Sequence, residues 1–162
     1  MAIIYCDMDG VLADFKTAAV RTTGMSINKW MNIPSSKEKW SLITQKKDFW
    51  STLPWMPGGK QLWSYISKHD PHILSAYVEE SFDPNCIPGK TAWLRRNAGM
   101  TNRSKINLVR RKEKKLFARK GKPSILIDDY EKNVKEFIAN GGKGIHHTNT
   151  SKTIAELKRL GF

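Results

Sequence analysis

The chain has 162 residues, 40% of them hydrophobic, and a formal net charge of +13, which suits one domain with a small insertion. No apolar run reaches the roughly 18 residues that a membrane-spanning helix needs, and no basic segment precedes the first apolar run, so we expect neither a membrane span nor a signal peptide. With only two cysteines, Cys6 and Cys86, the composition predicts a reduced, cytoplasmic protein without disulfides.

Short apolar runs alternate with longer stretches of helical periodicity along most of the chain. Strands are predicted at residues 3–6, 72–74, 106–109, 124–127 and 144–146. Helices are predicted at roughly 11–22, 59–68, 90–97, 112–119, 131–140 and 151–160. This alternation predicts an α/β fold in which helices cover both faces of a parallel sheet.

The interval between the first two predicted strands is too long for a single crossover. It is rich in tryptophan: Trp30, Trp40, Trp50, Trp55 and Trp63. It closes with the segment LPWMPGG, whose prolines and glycines are typical of a return loop. We therefore predict a small helical cap at residues 16–70, inserted into a core made of residues 1–15 and 71–162.

Polar side chains suited to chemistry follow four of the predicted strands. In strand order they are Asp7 with Asp9, Ser75, the lysine-rich residues 110–115 (RRKEKK), and Asp128 with Asp129. Because the carboxyl ends of parallel strands meet at one edge of a sheet, we expect these side chains to form one cluster. Carboxylates held this close repel one another unless a cation lies among them, and oxygen ligands favour Mg²⁺.

The Asp-x-Asp spacing suits phosphoryl transfer. One carboxylate can attack phosphorus, while the other protonates the leaving oxygen and later deprotonates water. The hydroxyl and the ammonium can hold the phosphoryl oxygens. Each residue alone has a more ordinary explanation, since a strand-end aspartate is usually a helix N-cap. The prediction depends on their joint occurrence at successive strand ends.

The excess positive charge is concentrated in one block, residues 95–122. It holds twelve of the 28 basic residues and one of the 15 acidic residues, Glu113. Such a block attracts polyanions or phosphate-bearing substrates. The alternative is a solvated face that only aids solubility.

The segment DMDGVLADF (7–15) resembles the first motif of the haloacid dehalogenase superfamily, and within it the 5'(3')-deoxyribonucleotidase branch with its phage-encoded relatives. ILSA (73–76) resembles the second motif, and EKKLFA (113–118) with ILIDDYEKNVKEF (125–137) resembles the third and fourth. The resemblance implies a three-layer, Rossmann-like core with a small cap after the first strand. It also implies Mg²⁺-dependent hydrolysis of phosphomonoesters through an aspartyl-phosphate.

Carried onto this chain, the superfamily pattern implies four catalytic residues. They are Asp7 as nucleophile, Asp9 as general acid and base, and Ser75 and Lys114 as ligands of the phosphoryl group. Lys112 and Lys115 are the alternatives to Lys114. Mg²⁺ would be bound by Asp7, by Asp9 through its backbone carbonyl, and by Asp128 or Asp129.

Three further residues are implied on the substrate side: Lys90, Trp50 and Trp55. Lys90 matches a second phosphate-side lysine of the deoxyribonucleotidases, although a surface lysine at a helix start is the alternative. Phe49, Trp50 and Trp55 can stack on a base, or they can form the core of the cap.

The resemblance implies a deoxyribonucleoside monophosphate as the substrate and leaves the oligomeric state open. The basic block departs from the mammalian deoxyribonucleotidase pattern and favours a larger anion. One alternative is therefore a phosphatase of polynucleotide ends. The other is a nucleic-acid-binding protein without activity on the same scaffold, against which the intact set of acids argues.

Overall fold

The computed structural model describes residues 2–119 and 122–162, so Lys120 of the basic block lies outside the described residues. Five parallel strands form one sheet in the order β3-β2-β1-β4-β5. They are β1 (Ile3–Cys6), β2 (His72–Ala76), β3 (Ile106–Val109), β4 (Ser124–Asp128) and β5 (Lys143–His146). The predicted α/β fold with a parallel sheet is confirmed.

The central strand β1 and its neighbour β4 are buried on both faces, as expected of parallel strands that helices cover. Every residue of β4 is buried, and in β1 only Ile3 is partly exposed. The pairing of Cys6 with Ile127 brings the residues that follow β1 beside the end of β4. This register places Asp7 next to Asp128 at the carboxyl edge of the sheet.

Seven α-helices lie in the described part of the chain. They are α1 (Phe15–Thr23), α2 (Ile27–Met31), α3 (Ser36–Thr44), α4 (Gly59–Ser67), α5 (Cys86–Ala98), α6 (Glu131–Ala139) and α7 (Thr150–Arg159). Short three-ten helices occupy Trp50–Thr52, Arg103–Lys105 and Arg111–Arg119. Helix α1 begins later than predicted, because Asp14 caps it by accepting a 3.1 Å hydrogen bond from the N–H of Thr17.

Packing divides the chain into two compact units. The first comprises Met1–Ala13, Trp55–Ala76 and Asn102–Phe162 and contains all five strands. The second comprises Asp14–Pro54 and Tyr77–Thr101. The predicted cap at 16–70 coincides with the second unit over 16–54. Helix α4 belongs instead to the first unit, where it packs on α7, and α5 belongs to the second.

Aromatic side chains form the core of the second unit. The Phe15 ring stacks on Trp50 with centroids 5.4 Å apart and lies 5.6 Å from Trp30 and from Phe49. Helix α5 joins this core because the indole N–H of Trp93 donates to the Leu53 carbonyl at 2.7 Å. In the part of the chain that the structure describes, no helix is both long and apolar enough to cross a membrane.

Candidate active site

Asp7 lies where the chain leaves the sheet at the end of β1. Its N–H donates to the Ile127 carbonyl at 2.9 Å, so the pairing of β1 with β4 continues to this residue. Its Oδ1 accepts a 2.8 Å hydrogen bond from the N–H of Met8, and the residue is 5% exposed. The carboxylate is therefore fixed at the edge where open parallel sheets bind ligands.

A tight turn at residues 8–13 follows and brings Gly10 against Asp129. The Met8 carbonyl accepts the N–H of Leu12 at 2.8 Å, which closes the turn. Gly10 has a φ of 82°, which other residues rarely adopt, and a β-carbon there would collide with the Asp129 carboxylate. The glycine is thus required both by the backbone conformation and by the close approach of an acidic side chain.

Lys114 lies between two carboxylates of the cluster. Its Nζ is 3.1 Å from Asp7 Oδ1 and 2.8 Å from Asp128 Oδ2, and the residue is 2% exposed. Burial alone would lower the pKa of Lys114, but the charges of Asp7 and Asp128 outweigh burial and raise it. Lys114 is therefore an ammonium at neutral pH. Of the three lysines considered, Lys112 is exposed and Lys115 is half-buried.

Asp128 is fully buried and accepts three hydrogen bonds. Tyr130 N–H donates to its Oδ1 at 2.9 Å, while Lys114 Nζ and Asn133 Nδ2 donate to its Oδ2 at 2.8 and 3.1 Å. Burial and the nearby charge of Asp7 raise the pKa of Asp128 to about 6. Burial and the charge of Asp128 also raise the pKa of Asp129. Both shifts have the same cause, because these carboxylates lie close together and away from water.

The cluster fits a divalent cation. Asp7, Asp128 and Asp129 each offer a carboxylate oxygen, and these oxygens lie within 4.8 Å of one another. Three carboxylates outnumber the single Lys114 ammonium among them, and an oxygen-only donor set suits Mg²⁺. Asp9 is half-buried in the turn beside them. Its predicted contribution to the cation site is the backbone carbonyl, while its side chain has the predicted role of general acid and base.

Ser75 lies near the carboxyl end of β2, the strand beside β1 in the sheet. The β1–β2 register pairs Cys6 with Ile73, which carries Ser75 to the level of Met8, one residue beyond Asp7. Ser75 is fully buried. The first unit thus contains all four residues with predicted catalytic roles, together with Asp128 at the end of β4 and Asp129 directly after it.

The predicted substrate-side residues lie in different units. Lys90 and Trp50 belong to the second, where the Lys90 Nζ lies 5.1 Å from the centroid of a Trp50 ring. Trp50 is 2% exposed, and its N–H donates to Asp83 Oδ2 at 2.7 Å, so it belongs to the aromatic core. Lys90 is 1% exposed, and the alternative of a surface lysine is wrong. Trp55 belongs to the first unit, half-buried against Gly59.

Two residues next to the cluster, Asn133 and Arg111, were not among the site residues predicted from the sequence. Asn133, on α6, donates to Asp128, and Arg111 Nη1 donates to Asn133 Oδ1 at 2.9 Å. The fourth-motif segment already contained Asn133 one helical turn beyond the acids, which was a usable signal. Arg111 is one of many cations in the basic block, and nothing in the sequence distinguishes it from its neighbours.

Comparison with known proteins finds similarity at the level of structure. No protein-family model matches this sequence, and no curated protein matches it. A hydrolase from Streptococcus pneumoniae TIGR4 matches with a TM-score of 0.59 at 11% identity, over 96% of this chain and 97% of that one. L-2-haloacid dehalogenase from Xanthobacter autotrophicus matches with a TM-score of 0.57 at 13% identity, over 100% of this chain and 84% of that one.

This chain has the fold of the haloacid dehalogenase-type hydrolases. A HAD-family hydrolase from Deinococcus radiodurans R1, with bound phosphate and sodium, matches with a TM-score of 0.56 at 12% identity. That match covers 99% of this chain and 88% of the other. At these identities the likeness concerns the fold, and the acidic cluster described above is this chain's own evidence for chemistry.

Proposed function

We propose that the protein is a Mg²⁺-dependent phosphomonoester hydrolase that acts on deoxyribonucleoside monophosphates through an aspartyl-phosphate on Asp7. The observation that carries the proposal is the buried ammonium of Lys114 between Asp7 and Asp128 at the carboxyl edge of a parallel sheet. The bound phosphate of the structurally similar Deinococcus hydrolase is consistent with a phosphoryl ligand.

In the first step a carboxylate oxygen of Asp7 attacks phosphorus and the bond from phosphorus to the leaving oxygen breaks. Asp9 gives its proton to that oxygen. Asp9 then takes a proton from water, whose oxygen attacks phosphorus, and the bond to Asp7 breaks. The products are an alcohol and inorganic phosphate, and both carboxyl groups return to their starting states.

The remaining residues stabilise charge. Lys114 compensates the phosphoryl oxygens as negative charge accumulates on them, and the Ser75 hydroxyl donates to one of them. Asp7, Asp128 and Asp129, with the backbone carbonyl of Asp9, would hold Mg²⁺, which would supply further positive charge to the phosphoryl group. The N–H of Met8 and the Lys114 ammonium keep the Asp7 carboxylate in position.

The choice of a deoxyribonucleotide follows from the resemblance of DMDGVLADF to the deoxyribonucleotidase motif. A phosphatase of polynucleotide ends is the second candidate, because Arg103, Arg110, Lys112 and Lys122 of the basic block are exposed. Exposed cations of this kind contact nucleic-acid phosphates in other proteins. In both candidates the chemistry at Asp7 is the same.

A substrate panel separates the two candidates. Phosphate release is measured with and without Mg²⁺ on 5'- and 3'-deoxynucleoside monophosphates and on oligonucleotides phosphorylated at either end. The proposal expects the highest kcat/KM on a mononucleotide. A preference of tenfold or more for an oligonucleotide end would favour the second candidate, and no phosphate release from any compound would contradict both.

A further inference from the structure

A chain of four polar side chains runs from α6 to the buried carboxylate of Asp128. Arg111 Nη1 lies 3.2 Å from Glu136 Oε2 and donates to Asn133 Oδ1 at 2.9 Å. Asn133 Nδ2 donates to Asp128 Oδ2 at 3.1 Å. Asn133 and Asp128 are buried, whereas the side chains of Arg111 and Glu136 are 37% and 24% exposed. One buried amide therefore connects the basic three-ten helix to the acidic cluster.

The two neighbours of Asn133 determine which way its amide points. A guanidinium only donates hydrogen bonds and an ionised carboxylate only accepts them. Arg111 therefore requires the amide oxygen on its side, which turns the NH₂ group toward Asp128. In the opposite orientation the amide oxygen would face the Asp128 carboxylate, and the NH₂ group would face the guanidinium.

The orientation of the Asn133 amide matters because a second donor uses the same acceptor oxygen. Asp128 Oδ2 also accepts from Lys114, whose ammonium reaches Asp7 on its other side. Rotation of the Asp128 carboxylate would change the position of Lys114 and of the oxygens available to a cation. Arg111 itself lies outside the cluster, and its partly exposed pairing with Glu136 contributes little to stability.

We propose that Arg111 is a positioning residue, which acts through the Asn133 amide to hold Asp128 and Lys114 in the geometry that binds the cation and the phosphoryl group. This inference rests on the proposed function and adds a residue to its machinery. It also gives one cation of the basic block a role other than attracting polyanions. Partners of this kind, which orient a metal ligand from behind, commonly change metal affinity or activity by about 10–100-fold when removed.

The test compares Arg111→Ala with Lys132→Gln, which removes an exposed charge one residue from Asn133. Mg²⁺ binding to each protein is measured by calorimetry without substrate, and kcat and KM are measured at saturating Mg²⁺. We expect Arg111→Ala to raise the Mg²⁺ Kd and lower kcat by about tenfold or more, with KM changed less than about threefold. Lys132→Gln should match wild type.

A double variant tests whether Arg111 acts through Asn133. If it does, Arg111→Ala combined with Asn133→Ala loses no more than Asn133→Ala alone, because the first change then has nothing left to orient. Additive losses would overturn the inference, as would an Arg111→Ala protein whose Mg²⁺ Kd and kcat both stay within twofold of wild type. If Arg111→Ala fails to fold, Arg111→Lys, which keeps one donor, replaces it in the same comparison.

The positioning role of Arg111 and the proposed hydrolase activity fail under different experimental results. If Asp7→Asn is inactive and Arg111→Ala behaves as wild type, the positioning role fails and the hydrolase stands. If no phosphoryl compound is hydrolysed, the hydrolase fails, while the Mg²⁺ calorimetry still reports whether Arg111 supports the cation site.

Discussion

At the scale of single residues, the acidic cluster holds several charged groups in a buried position. The core of a folded protein ordinarily avoids such groups, whereas a phosphoryl-transfer site requires them. Asp7, Asp128 and Lys114 are all buried, and their mutual contacts replace the water that each charge has lost. Gly10 is a precondition of this arrangement, because its missing side chain leaves room for the Asp129 carboxylate.

Gly10→Ala should therefore damage the cluster as well as strain the backbone. Gly141→Ala is its control, because Gly141 also has a positive φ, 100°, but a β-carbon there meets nothing within 4 Å. The control should lose about 1–2 kcal/mol of unfolding free energy and keep its activity. Gly10→Ala should lose more and should also lose the Mg²⁺-induced rise in Tm. Equal effects of the two substitutions in melting curves with and without Mg²⁺ would contradict this account.

The pKa of Asp128, about 6, predicts how cation binding depends on pH. A raised carboxyl pKa means that the folded, metal-free protein holds a proton there up to about pH 6, and that proton competes with Mg²⁺. The Mg²⁺-induced rise in Tm should therefore be larger at pH 7.5 than at pH 5.5. Asp128→Asn, which has no proton to release, should show less of this dependence. A shift independent of pH in wild type would be inconsistent with the competition.

At the scale of elements, the strands and the residues at their ends were predictable, whereas the assignment of α4 and α5 to one unit or the other was not. β1 and β4 are apolar runs that end in acids, and parallel pairing alone brings Asp7 beside Asp128. Helical periodicity, in contrast, shows that α4 and α5 have a buried face without showing which neighbour covers it. Packing on α7 places α4 in the first unit, and the Trp93–Leu53 hydrogen bond ties α5 to the second.

Trp93→Phe tests the attachment of α5 to the second unit. Phenylalanine keeps most of the buried ring but leaves the Leu53 carbonyl without the indole N–H that donates to it. We expect a loss of about 1–3 kcal/mol in unfolding free energy, measured by urea denaturation. Arg95→Gln, at an exposed position of the same helix, should change it by about 0.5 kcal/mol or less. A Trp93→Phe protein as stable as wild type would show that the hydrogen bond contributes nothing.

At the scale of the whole molecule, the net charge of +13 either attracts an anionic ligand or only aids solubility. Several cations of the basic block make contacts inside the first unit, among them Lys114 with Asp7 and Asp128, and Arg111 with Asn133 and Glu136. Lys105 pairs with Asp70. Arg95, Arg96 and Arg103 are exposed and remain available to attract a polyanion or simply to aid solubility.

Replacing Arg95, Arg96 and Arg103 with glutamine distinguishes these roles. A mononucleotide carries its charge at the reacting phosphate, and distant charges are screened over about 8 Å at physiological salt. The mononucleotide proposal therefore expects kcat/KM on a deoxynucleoside monophosphate to change less than about tenfold, or about 1.4 kcal/mol. If the protein is a polynucleotide phosphatase, oligonucleotide turnover should fall further and its salt dependence should become less steep.

Asp7 is the proposed nucleophile, and the phosphate-release rate of purified Asp7→Asn tests this role most directly. Asparagine has nearly the same shape, but its amide is a poor nucleophile toward phosphorus. We expect a folded protein whose circular dichroism matches wild type and whose turnover on the best substrate of the panel is undetectable. Substantial turnover by Asp7→Asn, free of wild-type enzyme, would contradict a nucleophilic role for Asp7.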